Sequence, residues 1–353
     1  MKDVIIVGAG LMGSALAHQC ARLGLDTMLI EAGSAGGAGA TAHSRGIVRV
    51  YDPHPELMSW AVRGVREWSN WTLPGPSPFV ACGLYYCVRQ ANREASLAAL
   101  SGHDHAQYPI HVLPASSPAL PPELRHLVEA GGIVLHEPLA GYVDTRLAAR
   151  LFVQSAKEHG AQVLEGSTVL RVGADRESAQ VMLAHATLRA RRVVLAAGAA
   201  TPSLAQVPGM YCRSIPLSSV RSPAKAVPAH CIIDEVSGGY IRPDGSEFLF
   251  AGGALQHDAA SHQQLFFDLP GAGARNAELA QHLTGTQAMQ LLDTRPGYDG
   301  YTPDFLPHIG PSPDDQRIVL ATGFSGRGAK YIPAVAVELA RQLAAKSPAG
   351  VPA

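Results

Sequence analysis

"KDVIIVGAGLMGSALAHQCARLGLDTMLIEA", residues 2–32, reads as a strand, a tight turn, a helix and a second strand. Val4 to Val7 is an uninterrupted apolar run rich in β-branched residues, the pattern of a central strand covered on both faces. Leu11 to Leu23 has helical apolar spacing that Gly24 stops. Gly8, Gly10 and Gly13 form a GxGxxG pattern. The first glycine permits the turn, the second lets a pyrophosphate approach the backbone, and the third lets helix and strand pack closely. The N-H groups that open the helix, around Leu11 and Met12, would face the phosphates. Glu31 stands at the end of the second strand, eighteen residues beyond Gly13, where a carboxylate can accept bonds from an adenosine ribose. The stretch predicts a dinucleotide-binding β-α-β unit, and by itself it does not separate FAD from NAD.

Residues 32–56, "AGSAGGAGATAHSRGIVRVYDPHPE", form a long small-residue loop carrying Ser44, Arg45 and Arg49. A plain NAD domain proceeds promptly to its next helix, so this loop favours an extended ligand whose other half lies beneath it. A second glycine-rich turn, "GFSGRGAKYIP" at residues 323–333, brings two cations and bare backbone close to the other end of the chain.

Composition narrows the classes. The 353 residues suffice for one large domain or two interlocked ones. A formal net charge of -1 with no basic run argues against a nucleic-acid partner. Five cysteines without CxxC spacing indicate neither a disulfide framework nor a zinc cluster, and point to a reducing compartment. His103, His105 and His111 read as solvated loop histidines, so no metal is expected. "VIIVGAG" is too short to span a membrane and no secretory pattern follows it, which predicts a cytoplasmic protein.

Further along, residues 57–71 read as a helix with Leu57, Trp60, Ala61, Val65 and Trp68 on one face. "FVACGLYYCVR" reads as one strand, and Cys82 and Cys87 inside it as buried apolar side chains rather than reactive thiols. Residues 92–123 read as a short helix followed by loop. Asp144 or Thr145 caps a helix that Gly160 ends; the strands "AQVLEG" and "STVLRV" follow, then a hairpin, then "RRVVLAAG", whose small residues Ala197 and Gly198 suit a sheet end that meets a cofactor. Residues 211–260 read as antiparallel strands, with Asp244-Gly245 marking a hairpin. The expected architecture is mixed α/β (α+β): a nucleotide-binding domain of residues 1–80, 142–210 and 306–353, interleaved with a substrate domain of residues 81–141 and 211–305 built on an antiparallel or mixed sheet.

With both glycine-rich ends in place, the chain resembles the FAD-dependent D-amino-acid oxidase superfamily, in the branch of glycine oxidase and sarcosine oxidase. The likeness runs through "GYVDTRLAARLFVQSAKEHGAQV", "RRVVLAAGAATPSL", "GGYIRPDGSEFLFAGG" and, above all, "TRPGYDGYTPDFLPHIGPSPDDQRIVLATGFSGRGAK". It implies a Rossmann-like FAD-binding domain with a sheet covering the flavin, and oxidation of the C-N bond of a small amino or imino acid by hydride transfer to flavin N5. Dioxygen or another electron acceptor would complete the cycle, and a dehydrogenase component serving a non-oxygen acceptor stays open.

Residue by residue, the resemblance places Gly8, Gly10, Leu11, Met12, Gly13, Glu31, Ala32, Ser44, Arg45, Gly46, Val169, Ala197 and Gly198 against FAD. Gly326, Arg327, Gly328, Ala329 and Lys330 would bring backbone N-H groups to the pyrimidine edge of the ring, where they would stabilise the charge that reduction adds. Arg295 and Lys330 match cations that grip the substrate carboxylate, Tyr240 their hydrogen-bond partner, and Arg49 a second arginine near it. Gly297 stands where covalent members carry the cysteine that links FAD, which implies non-covalent FAD. The lysine that some relatives hold above the flavin aligns with Leu249, and an early histidine and arginine of theirs align with Ala42 and Gly46. Hydride transfer needs placement more than a base, so His54 and His308 are not expected to act as one.

Overall fold

The computed structural model describes residues 1–222, 227–253, 256–287 and 289–345. Its organising feature is a sheet ordered Arg171–Ala174, Ala179–Met182, Thr187–Leu195, Lys2–Val7, Thr27–Ile30 and Gln162–Leu164, with Ile318–Thr322 also on Thr187–Leu195 and His308–Pro311 on Ile318–Thr322. The pairings made by Lys2–Val7 are parallel on both sides. Ile5 and Ile6 have no exposed surface, which explains why the run is apolar without alternation. Helices Leu11–Arg22, Thr145–Glu158 and Ile332–Ala345 pack together on one face. Asp144 caps the second of these, accepting from the N-H groups of Arg146 and Leu147.

The hairpin expected before "RRVVLAAG" and that strand itself are continuous: Thr187–Leu195 pairs with Ala179–Met182 through its first half and with Ile318–Thr322 through its last residues.

A second sheet of eight strands runs Gln290–Arg295, Leu217–Arg221, Phe248–Gly252, Tyr240–Asp244, Cys231–Asp234, Leu84–Val88, Ile133–Glu137 and His111–Pro114. It is antiparallel apart from the Cys231–Asp234 and Leu84–Val88 pair. Alternation sorts its side chains. Val220, Ile232, Ile241, Leu249 and Ala251 turn toward helix Leu269–Thr284 and pack with Ala280 and Leu283, while Leu217, Ile233 and Tyr240 turn the other way, onto a cavity. The sequence run "RSPAKAV" lies partly outside the described residues. Asp244-Gly245 does sit in the hairpin between Tyr240–Asp244 and Phe248–Gly252, with Gly245 at φ +79°.

Two expectations need correction. "FVACGLYYCVR" is two strands: Gly83 at φ +77° breaks it, sending Phe79–Ala81 to pair with Gly141–Val143 and Leu84–Val88 into the large sheet. His111 lies on the edge strand His111–Pro114, not in a loop. The helix read at 57–71 runs Pro55–Ser69 and buries Leu57, Ala61, Val65 and Trp68.

Candidate active site

Between the two sheets lies a cavity of about 650 Å³. At one end the strand Lys2–Val7 stops at Gly8, whose φ of +98° and close approach to Ala196 leave no room: a Cβ there would meet the Ala196 carbonyl oxygen at 2.6 Å. Gly13 faces back onto the turn instead of the cavity, and a Cβ on it would lie 1.8 Å from the Gly8 oxygen. Its function is the close helix-strand packing expected of the third glycine. Glu31 lines the cavity and also braces the turn, its Oε2 accepting from Ala9 N at 2.7 Å and its Oε1 from Gly33 N at 2.8 Å.

Gly10, Leu11, Met12, Ala32, Ser44, Arg45, Gly46, Val169, Ala197 and Gly198 line the same cavity, and so does the turn from Gly326 to Lys330. The turn can close as it does only because Gly8 and Gly13 carry no side chain, and the cavity runs from that turn to the second sheet. These residues fit FAD. Gly297 also lines the cavity, and a Cβ there would lie 2.5 Å from the Ile215 oxygen.

The far turn is anchored by a residue the sequence did not announce. Asp52, fully buried, accepts from Lys330 Nζ at 2.8 Å and from Arg327 Nη1 at 2.9 Å, and Lys330 also donates to the Tyr51 oxygen at 3.1 Å. Burial alone would push the Asp52 carboxyl up, but Lys330 and Arg327 outweigh it and hold it below its ordinary value. Lys330 is pulled down by burial first and by Arg49 next.

The segment carrying Asp52 is itself pinned by Glu137, buried on the second sheet, which accepts from Val50 N at 2.5 Å and Tyr51 N at 2.9 Å. Trp68 Nε1 donates to the Ala329 oxygen at 2.8 Å. Lys330 therefore lines the cavity with its ammonium engaged by Asp52 and the Tyr51 oxygen. Two N-H groups of the turn are likewise engaged: Gly326 N donates to Asp299 Oδ2 at 2.9 Å and Arg327 N to the Phe324 oxygen at 3.0 Å. Gly328 and Ala329 open a short 3-10 turn, whose first N-H groups have no partner within it.

The other expected substrate contacts divide. Tyr240 and Arg49 line the cavity; Arg49 donates to the Tyr51 oxygen and stands 4.8 Å over the Tyr86 ring. Arg295 does not line it. Its side chain is half exposed at the strand end and pairs with Asp293 at 2.8 Å. Leu249 points into the core beneath helix Leu269–Thr284, so the alignment that set it above the flavin fails by strand face.

Ala42 and Gly46 likewise understate the early loop, because the neighbouring His43 and Arg45 line the cavity. His308 Nε2 donates to the Pro208 oxygen, 3.2 Å away, and His54 stands just before helix Pro55–Ser69. Asp299, unremarked in the sequence, lines the cavity as well. Burial raises its carboxyl to about 6, against the bonds it accepts from Gly300 N and Gly326 N.

This arrangement has relatives. A family described as FAD dependent oxidoreductase matches residues 3–342. The chain belongs to that family. Glycine oxidase of Bacillus subtilis is 24% identical over 366 residues, covering 94% of this chain and 90% of that protein. The tRNA 5-methylaminomethyl-2-thiouridine biosynthesis bifunctional protein MnmC of Pseudomonas putida is 26% identical over 357 residues, covering 95% of this chain. The chain spans about half, 52%, of MnmC's length.

Among solved structures, L-proline dehydrogenase from P. horikoshii superposes with a TM-score of 0.84 at 18% identity, covering 98% of this chain and 94% of that one. The protein is thus an FAD-dependent oxidoreductase by family. Among the described residues no helix is long and apolar enough to cross a membrane.

Proposed function

We propose that this protein oxidises the C-N bond of a small amino or imino acid to the imine, with FAD held non-covalently. The observation that carries the reading is the single cavity that joins the glycine turn at Gly8 to the sheet face bearing Tyr240, Ile233 and Leu217. Bound FAD would supply the hydride acceptor. What the chain supplies is placement: the Asp52-Arg327-Lys330 cluster fixes the turn at 326–330, and the sheet face closes the cavity from the other side, excluding water. Tyr240 and Arg49, which both line the cavity, would give a carboxylate a polar wall. Side chains that keep the substrate amine neutral would release its lone pair to the forming imine, and Asp299, which accepts from Gly326 N, is an acid that lines the cavity. A net charge of -1 without a basic run supports a free small substrate over one carried on nucleic acid.

Anaerobic titration of the purified protein with glycine, sarcosine, D-amino acids, both prolines and cyclic imino acids tests this by loss of the oxidised flavin band. Bleaching names the substrate class. Admission of air then separates dioxygen from another acceptor by the speed of recovery. No bleaching by any member of the panel would remove the reading.

A further inference from the structure

On the cavity-facing side of the second sheet, Gly252, Tyr240, Ile233 and Tyr86 stand in register on neighbouring strands, and Leu217 stands beside Gly252 on the next strand. Leu217, Tyr240 and Ile233 line the cavity. Gly252 is the member of this row without a side chain. Its φ lies outside the left-handed region, so the backbone there would accept any residue, and a glycine inside a strand costs stability. Something other than chain conformation keeps a side chain out.

The Tyr240 ring does so. A Cβ on Gly252 would overlap the Cζ and the hydroxyl oxygen of Tyr240 and would lie 2.7 Å from Leu217 Cδ2. The ring therefore lies down across Gly252, along the sheet, with its hydroxyl end toward Leu217. A strand side chain ordinarily stands roughly perpendicular to its sheet. Lying flat, Tyr240 leaves open the space that an upright ring would fill.

The walls of that space are apolar. Leu217 bounds it on one side and Ile233 on the other, and Ile233 packs with cavity-lining Ile47 on a small apolar cluster around Leu84 and Cys231. The row offers no charged side chain between Leu217 and Ile233, and Arg295, opposite Leu217 on the edge strand, is held outside by Asp293. We propose that Gly252, by letting Tyr240 lie flat, sets the depth of the substrate subsite, and that the subsite takes amino or imino acids with an apolar α-substituent or ring in preference to glycine and to acids with charged side chains. Each methylene buried between apolar walls favours its ligand by about tenfold or more, whereas a charged side chain would find no partner there. The inference deepens the proposed function and rests on it.

The test is titration of holoenzyme with acetate and with cyclopentanecarboxylate, acids that carry no amine to oxidise, followed by perturbation of the flavin spectrum. Wild type should bind the cyclic acid about tenfold or more tightly than acetate. Gly252→Ala lifts the Tyr240 ring into the subsite, and should raise the Kd of cyclopentanecarboxylate about tenfold or more while moving that of acetate by less than about threefold. Ile233→Ala withdraws a wall and leaves the ring in place, so it should shift preference toward the wider cyclohexanecarboxylate by about threefold or more relative to wild type.

Equal weakening of both acids by Gly252→Ala, weakening of neither, or a wild-type spectrum that responds to neither acid or prefers acetate would overturn the proposal. So would faster bleaching by glycine than by any apolar amino or imino acid. Should Gly252→Ala yield no holoenzyme, Ile233→Ala decides, and an unchanged preference between the two rings sinks the idea. Failure of the underlying reaction looks different. Size-dependent binding that follows Gly252 and Ile233, without bleaching by any amino or imino acid, would remove the reaction and leave the subsite standing.

Discussion

Lys330 Nζ lies 2.8 Å from Asp52 Oδ2, both side chains are buried, and Arg327 reaches the same oxygen at 2.9 Å. One carboxylate thus neutralises two cations, which makes the members of the cluster unequal. Asp52→Ala strands both cations out of water and should cost about 3–5 kcal/mol of stability. Lys330→Met leaves Asp52 paired with Arg327 and should cost clearly less. Urea unfolding of the two variants measures the difference, and equal losses would show that the cluster is not held by Asp52.

Asp299 gives a pH signature. Its folded-state carboxyl is raised from 3.8 to about 6, so its protonation stabilises the fold; that contribution is fully present below pH of about 3.8 and lost as pH rises through about 6. Ionisation also places a negative charge in the cavity, beside the turn at Gly326, and a negative charge there opposes addition of electrons to a bound flavin. The flavin midpoint potential should therefore fall more steeply through pH of about 6 in the wild type than in Asp299→Asn. Parallel potential-pH curves for the two proteins would show that Asp299 titrates elsewhere or does not sense the ring.

Much of this was legible in local sequence. The turn from Gly8 to Gly13, the acid at Glu31 and the cap at Asp144 are short-range devices, and each residue type has a backbone reason for its place. Pairings across the fold were not. Asp52 looks like a loop residue until the turn at 327–330 arrives from 275 or more positions away, and Glu137 shows its role only once its strand brings it to Val50 and Tyr51. Arg295 illustrates a different failure: motif likeness fixed its strand, but whether its side chain reaches the cavity depends on the local twist and on Asp293, which holds it outside. Strand face likewise decided against Leu249, since a shift of one residue in register exchanges core for cavity.

Gly64 shows how closely the far turn is backed. Helix Pro55–Ser69 presses on it so tightly that a Cβ at Gly64 would lie 2.0 Å from the Lys330 oxygen, a backbone atom that cannot rotate away. Gly64→Ala must push either the helix or the turn, at a cost of about 1–3 kcal/mol. Because the turn contributes to the cofactor cavity, FAD retention on dialysis should fall along with the melting temperature. Unchanged retention at a lowered melting temperature would mean that the helix moves and the turn stays.

Cys82 and Cys231 form a pair that the sequence spacing hid, their sulfurs 3.8 Å apart behind the cavity wall. The bond they share lowers the Cys82 thiol against the effect of burial and, together with burial, raises Cys231, so Cys82 is the thiolate that forms first as pH rises. It sits next to Gly83, where φ of +77° already bends the chain, and a disulfide requires the sulfurs to close to about 2.05 Å. Diamide, itself reduced to the hydrazine as two thiols lose their protons and join, should therefore lower the thiol count of the native protein from five by two. In Cys82→Ser no such loss should occur, because Cys20, Cys87 and Cys212 are buried and have no second sulfur within bonding reach among the described residues. A wild-type protein that keeps all five thiols after diamide would show that the strand Cys231–Asp234 and the bend at Gly83 hold the sulfurs apart.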